Sequence, residues 1–223
     1  FHFENYVRIW QKIPFGLFTF NSFKLTIIVT FIQVLTCSFA AYGFSKCKFR
    51  GRDTLFLCYI ATIAIPWQIY MLPQYSLMQK LHLVDTHLGY ILMQSFAAFG
   101  VFLLRQFYQS VPNELIEAAR IDGLSEYGCY FRIVLPLAKP AIATLTIFTF
   151  VNTWNDFMGP MIYFNSEANK TIPLGIRMFI GQYSSEYQLI MAASVVALLP
   201  ILILYVFCQR FFVQGIATSG LKG

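Results

Sequence analysis

Residues 22–44, SFKLTIIVTFIQVLTCSFAAYGF, hold a single charged side chain, Lys24, in a run that is otherwise apolar or small and polar. About 20 such residues in a helix cross the ~30 Å hydrocarbon core of a bilayer. Lipid offers no partner to backbone amides and carbonyls, so a run of this length is read as a helix and not as a strand. Four more runs of the same kind follow, at roughly 54–74, 86–104, 140–163 and 187–211. The chain is therefore expected to be an all-α, polytopic membrane protein, one transmembrane domain over residues 1–223 with five spans.

Composition agrees with that expectation. Of the 223 residues 57% are hydrophobic and 12% charged, whereas soluble domains are near half apolar and a quarter charged. Disordered, collagen-like and ordinary cytosolic enzyme classes are excluded. The net charge of +6 raises nucleic acid as a partner, but basic residues flanking spans more often report orientation. Lys46, Lys48, Arg50 and Arg52 lie between the first two spans. Arg105, Arg120, Arg132 and Lys139 lie between the third and fourth, and Arg210 and Lys222 follow the fifth. These segments share one side, predicted to be cytoplasmic. Arg8, Lys12, Lys24, Lys80, Lys170 and Arg177 are spread more thinly on the other. This orientation puts the N-terminus outside and the C-terminus in the cytoplasm, with no nucleic-acid partner. The first residue is Phe1 and no secretory signal precedes the first span, which predicts that a preceding, sixth helix is missing.

Other signals are weak. Cys37, Cys47, Cys58, Cys129 and Cys208 form no C-x-x-C pair, so neither a disulfide framework nor a zinc site is expected. His82, Asp85 and His87 spell H-x-x-D-x-H on a short outer loop. Two histidines on an exposed turn account for it, and no metal site is assigned. Pro66 interrupts the second span, where a missing backbone donor kinks a helix; the kink is either part of a gate or a static bend.

The segment 105–139, RQFYQSVPNELIEAARIDGLSEYGCYFRIVLPLAK, has more structure in it. Ser110 and Pro112 mark a helix start. NELIEAARID is a good helix former, with Leu115, Ala118 and Ala119 near one face. Gly123 is the natural stop. Ser125 caps a second short helix through Tyr130, and Pro136 ends that stretch. Either the segment lies on lipid headgroups or it docks into a groove on a protein. Glu114, Glu117, Asp122 and Glu126 make anionic lipid the poorer match.

Glu117, Ala118 and Ala119, then Gly123, then Ile133, Leu135 and Pro136, reproduce the spacing EAA-x3-G-x9-I-x-LP. This resembles the cytoplasmic loop of permease subunits of binding-protein-dependent ABC importers. The similarity extends to FTFVNTWNDF at 148–157, MAAS at 191–194 and GIATSGLKG at 215–223, which look like the carbohydrate branch and its maltose-type inner permease subunit. The resemblance implies half of a pore for uptake of a sugar or oligosaccharide. It implies as partners a second permease subunit, ATP-binding cassette subunits and an extracytoplasmic solute-binding protein, in a prokaryotic cell membrane. Glu117, Ala118, Ala119 and Gly123, with Ile133, Leu135 and Pro136, would form the ATPase-coupling site. ATP and Mg would belong to the partner ATPase, since this chain carries no G-x-x-x-x-G-K-[ST] loop; it is expected to be no enzyme and to hold no cofactor. Six spans are usual in that branch, against five here.

Asn152, Trp154, Asn155 and Asp156 are the candidate substrate-pathway residues. Polar groups inside a span tend to face a cavity or a partner, and Trp and amides suit the apolar face and hydroxyl edges of a sugar. The competing account puts Trp154 in the interfacial belt and has Asn155 and Asp156 bonding between helices. The outer loop 164–186 is long enough to meet a solute-binding protein. Alternatives are a permease for another small solute, a membrane-embedded enzyme, or a self-contained secondary transporter or channel.

Overall fold

The computed structural model describes residues 2–181 and 185–220, the last twelve of these as backbone only. The tail of the GIATSGLKG segment, with Lys222, therefore lies outside the described residues. Thirteen α-helices are assigned among the described residues: α1 Glu4–Lys12, α2 Phe15–Lys46, α3 Arg52–Ala61, α4 Trp67–Lys80, α5 His87–Gln94, α6 Ala98–Ser110, α7 Asn113–Ile121, α8 Glu126–Cys129, α9 Leu135–Leu137, α10 Lys139–Trp154, α11 Met158–Tyr163, α12 Ile172–Arg177 and α13 Tyr187–Gly220. A π-helical turn, Tyr130–Val134, joins α8 to α9.

Among the described residues two helices are long and apolar enough to cross a bilayer unaided, Phe15–Lys46 and Tyr187–Cys208. Apolar side chains are distributed around both helices, and the buried polar residues of α2, among them Asn21, Ser22 and Ser38, face protein and not lipid. Three bent pairs reach the same length and apolarity together: Arg52–Ala64 with Trp67–Lys80, His87–Gln94 with Ala98–Ser110, and Glu126–Leu137 with Lys139–Trp154. The run 54–74 is thus not one kinked helix. Pro66 turns the chain by 101°, because Ile65 before it is driven to an extended backbone, φ −89° and ψ 110°. The run 140–163 is also divided: α10 ends at Trp154 and α11 begins at Met158.

Large apolar side chains are exposed along α3, α4 and α13, among them Leu57, Ile69, Leu72, Ile203, Val206 and Phe207. In water each would forfeit about 1.5–3 kcal/mol of burial. Against lipid tails that cost vanishes, so these faces identify the solvent.

The chain gathers into two compact units. One is drawn from residues 1–30, 70–94 and 149–207. Its core contains Ile9, Phe15, Phe18, Trp154, Ile172 and Leu189. Side chains of α2 hold an outer connection in this unit: Asn21 Nδ2 donates to the carbonyls of Ala168 (2.7 Å) and Lys170 (3.0 Å), and Ser22 Oγ accepts from the Ile172 amide at 2.9 Å. Lys12 and Glu186 form an ion pair there.

The other unit is drawn from residues 31–69, 95–148 and 208–223. Its core contains Cys37, Tyr42, Leu104, Tyr108, Tyr130 and Leu145. Ser38 Oγ sits between the hydroxyls of Tyr108 (2.5 Å) and Tyr130 (2.7 Å). Gly100 lets α6 lie against α2: a Cβ there would stand 2.8 Å from Cys37 Sγ, a small-residue contact typical of helices packed in membranes.

Candidate functional site

The segment 105–139 folds as a short helix on a packed base. α7 begins after Pro112, whose ψ of 134° keeps it outside the helix. Ser110 does not cap α7. It closes α6, its Oγ donating to the Phe107 carbonyl at 2.7 Å, because Val111 and Pro112 carry the chain too far for the hydroxyl to reach an α7 amide.

The C-terminus of α7 is closed by a left-handed Gly123, φ +84°. The Gly123 amide donates to Arg120 O at 3.0 Å and the Leu124 amide to Ala119 O at 2.9 Å. This is the Schellman pattern, which satisfies the last carbonyls of a helix.

The inward face of α7 differs from the expectation. Ile116 and Ala119 are buried; Leu115 and Ala118 are exposed, as is Ile121. Apolar spacing predicts a stripe, but Leu115 and Ile116 compete for it, and the base packed beneath α7 selects the stripe through Ile116. Glu114 and Glu117 are exposed as well. The outer surface of α7 is an apolar row with an acidic margin.

Further along, Ser125 Oγ accepts from the Gly128 amide at 3.3 Å and so caps α8. Ile133 and Leu135 are half-buried against the core. Pro136 does not end the stretch; it sits in the first turn of α9, where a missing amide costs nothing.

Sequence reasoning missed the groups that hold α7 in place. Buried Lys46, at the end of α2, donates from Nζ to Val111 O (2.6 Å) and Asn113 Oδ1 (2.8 Å). At the other end of α7, Arg120 Nε donates to Glu126 Oε1 at 2.8 Å, and the Tyr42 hydroxyl donates to Glu126 Oε2 at 2.9 Å. The Arg120 guanidinium, and then the Tyr42 hydroxyl, hold the Glu126 carboxyl below its ordinary value. Arg105 lies over the Phe56 ring, 3.9 Å from its centroid, and donates to Phe44 O (3.1 Å) and Asp53 Oδ1 (3.0 Å). In the sequence these cations register only as loop charges.

The four pathway candidates separate. Asn152 is exposed. Trp154 is buried, stacked on Phe150, and donates from Nε1 to Ala197 O on α13 at 2.9 Å. Asn155 is exposed and donates to Val151 O of its own helix at 3.0 Å. Asp156 accepts from the Tyr90 hydroxyl (2.7 Å) and Gln94 Nε2 (3.3 Å) on α5, and from the Gly159 amide (3.1 Å). Trp154 and Asp156 therefore tie helices together, while Asn155 does not reach another helix through that bond. Trp154 and Asn155 also line an open cavity of about 340 Å³ with Ile172, Pro173, Ser194 and Leu198.

Asp85 of the H-x-x-D-x-H sequence clamps the start of the outer loop. Its carboxylate accepts from the Asn165 and Ser166 amides (3.0 and 3.1 Å), Ser166 Oγ (3.1 Å) and Asn169 Nδ2 (3.2 Å). Burial pushes its carboxyl up, but the bonds from Ser166 and Asn169 outweigh that and leave it below the usual value.

Comparison with known proteins gives a consistent result. A family described as "Binding-protein-dependent transport system inner membrane component" matches residues 33–218. The arabinooligosaccharides transport system permease protein AraQ of Halalkalibacterium halodurans is 38% identical over 99% of this chain and 79% of its own length. The lactose transport system permease protein LacG of Rhizobium radiobacter is 31% identical over 97% and 80%. The sn-glycerol-3-phosphate transport system permease protein UgpE of Yersinia enterocolitica is also 31% identical, over 97% and 80%. Among solved structures, a bacterial ABC transporter involved in import of the acidic polysaccharide alginate superposes with a TM-score of 0.84 at 24% identity, covering 95% of this chain and 80% of that one.

Proposed function

This chain belongs to the family of binding-protein-dependent transport system inner membrane components, and on that premise we propose that it forms half of a pore for ATP-driven uptake of a sugar or oligosaccharide. It is a multi-pass membrane transport subunit. The observation that carries the coupling role is the packing of α7. Ile116 and Ala119 anchor it, and Leu115, Ala118 and Ile121 stand exposed beside Glu114 and Glu117. An exposed apolar row with an acidic margin suits a groove with a basic rim. The ATP-binding cassette subunit supplies that groove, and ATP and Mg are bound there. Glu117 meets the rim, small Ala118 allows close approach, and buried Ala119 seats the helix. Gly123 turns the chain, Ile133 and Leu135 seat the base, and Pro136 starts α9.

We read the five spans as α2, α3 with α4, α5 with α6, α10 with α11, and α13, leaving the bent stretch Glu126–Leu137 ahead of α10 in the 105–139 segment. The basic clusters put the 105–139 segment and the C-terminus in the cytoplasm of a prokaryotic cell. The 164–186 loop faces a solute-binding protein, and a second permease subunit completes the pore. Of the pathway candidates, Asn155, beside the cavity, is the best placed to meet a hydroxyl group. Trp154 and Asp156 act as ties between helices. The UgpE relatives favour one alternative, a permease for a small phosphorylated solute.

The test is purification of the assembly from its host, identification of its subunits, and ATP hydrolysis in liposomes. Arabino-oligosaccharide, lactose and sn-glycerol 3-phosphate are supplied in turn, each with the assembly's binding protein. Co-purifying ATPase subunits and stimulation by a sugar are expected. Stimulation by the phosphate ester alone selects the alternative solute. Solute flux through this chain without an ATPase overturns the coupling role.

A further inference from the structure

α7 is attached at both ends, and both attachments lead to one face of one helix. Tyr42 and Lys46 are four residues apart on α2, so they project from the same side, one turn from each other. Lys46 Nζ reaches the entrance of α7 at Val111 O and Asn113 Oδ1. Tyr42 reaches the exit through Glu126, which Arg120 in the last turn of α7 also grips. Lys46 and Tyr42 are both at least nine-tenths buried. The donor ends of these bonds are thereby shielded from bulk water, while the acceptors Asn113 and Glu126 stay at the surface. Ile116 and Ala119 seat the middle of α7 in the core, and the ties act at its ends. Two ties, at opposite ends, fix its direction as well as its position.

We propose that Lys46 and Tyr42 are positioning residues for ATP coupling: they lock α7 to α2, so that displacement of α7 by the ATPase moves α2 and is not absorbed in the loop. This rests on the coupling role proposed for α7. It assigns the receiving element, α2, and the two side chains that connect it.

The experiment uses the complete complex in liposomes, with arabinotriose as the transported probe, and reads solute moved per ATP hydrolysed. The variants are Lys46→Met, Tyr42→Phe and the double variant, with exposed Lys48→Met as control. Recovery of ATPase subunits with each variant measures folding and docking separately. The double variant is expected to keep its ATPase subunits and its hydrolysis while the transport ratio drops about fivefold or more, the scale of a typical coupling between sites. Lys46→Arg, which keeps a donor, recovers part of the ratio, and Lys48→Met leaves it unchanged. If Lys46→Met does not assemble, Tyr42→Phe, which lacks only the hydroxyl oxygen, carries the test. A wild-type ratio in an assembled double variant overturns the proposal and leaves the coupling role of α7 standing. Failure of the wild-type chain to retain any ATPase subunit overturns both.

Discussion

Substituting Gly123 by Val tests whether the exit from α7 depends on backbone conformation. Gly123 holds φ at +84°, and a Cβ built on it meets no atom within 4 Å. A clash is therefore not the issue; the strain is that of a left-handed backbone carrying a side chain, about 1–2 kcal/mol and more for a β-branched residue. The chain can escape only by giving up the bonds from Gly123 N to Arg120 O and from Leu124 N to Ala119 O. A loss of 1–2 kcal/mol shifts the local equilibrium by roughly 5–30-fold, away from the exit that leads into α8. Transport by Gly123→Val in liposomes should fall by that order while the protein still inserts and purifies. Gly123→Asn, which tolerates the left-handed region, should retain most activity. Full transport by Gly123→Val would refute the reasoning. Equal losses in Asn and Val variants would shift the cause from backbone strain to side-chain bulk against a partner.

Four further outcomes are expected. Gly100→Ala should lower the melting temperature of the purified protein, since its Cβ would lie 2.8 Å from Cys37 Sγ and overpacking costs about 1–3 kcal/mol; adding Cys37→Ala should restore part of it. The Glu126 carboxyl is held below its ordinary value of 4.5, so its contribution is complete above that value and is lost as pH falls through the lowered one. Thermal stability followed by tryptophan fluorescence should accordingly have an acid-side component that Glu126→Gln abolishes. Asp156→Asn should reduce transport through weakened ties to Tyr90 and Gln94 with the apparent solute affinity unchanged, whereas Asn155→Ala should change that affinity; the opposite split would exchange their roles. Asp85→Ala should expose the 164–169 segment to proteolysis in the purified protein, because the Asn165 and Ser166 amides lose their acceptor.

What could be read from the sequence was local. The limits of α7 followed from Pro112 and Gly123, because each fixes a backbone angle regardless of context. The membrane character of the chain followed from uninterrupted apolar runs, because a bilayer leaves few alternatives. Which face of α7 points inward did not follow. Leu115 and Ile116 are neighbours of similar character, and the choice between them belongs to the residues beneath. The ties made by Lys46, Tyr42 and Asp85 were illegible for a related reason. Each reaches a residue tens of positions away, and no periodicity records such a pairing. Trp154 and Asp156 carry two readings in the sequence, contact with a sugar or a place in the interfacial belt and a bond between helices, because polar side chains in an apolar run need a partner of some kind. The partners proved to be Ala197, Tyr90, Gln94 and Gly159.

The π-helical turn at Tyr130–Val134 gives the motif spacing a physical meaning. A π turn holds one residue more than an α turn, so it takes up a residue that would otherwise rotate everything beyond it by roughly 100° about the helix axis. The turn overlaps 130–132, the last three of the nine positions between Gly123 and Ile133. Deleting Phe131 or Arg132 would let it relax to a regular α-helix with Leu135 still on the core side and every motif letter unchanged. The interval between Gly123 and Ile133 thus holds its slack at one place, and a single deletion there should be tolerated better than one within 124–129, where no π turn can absorb it.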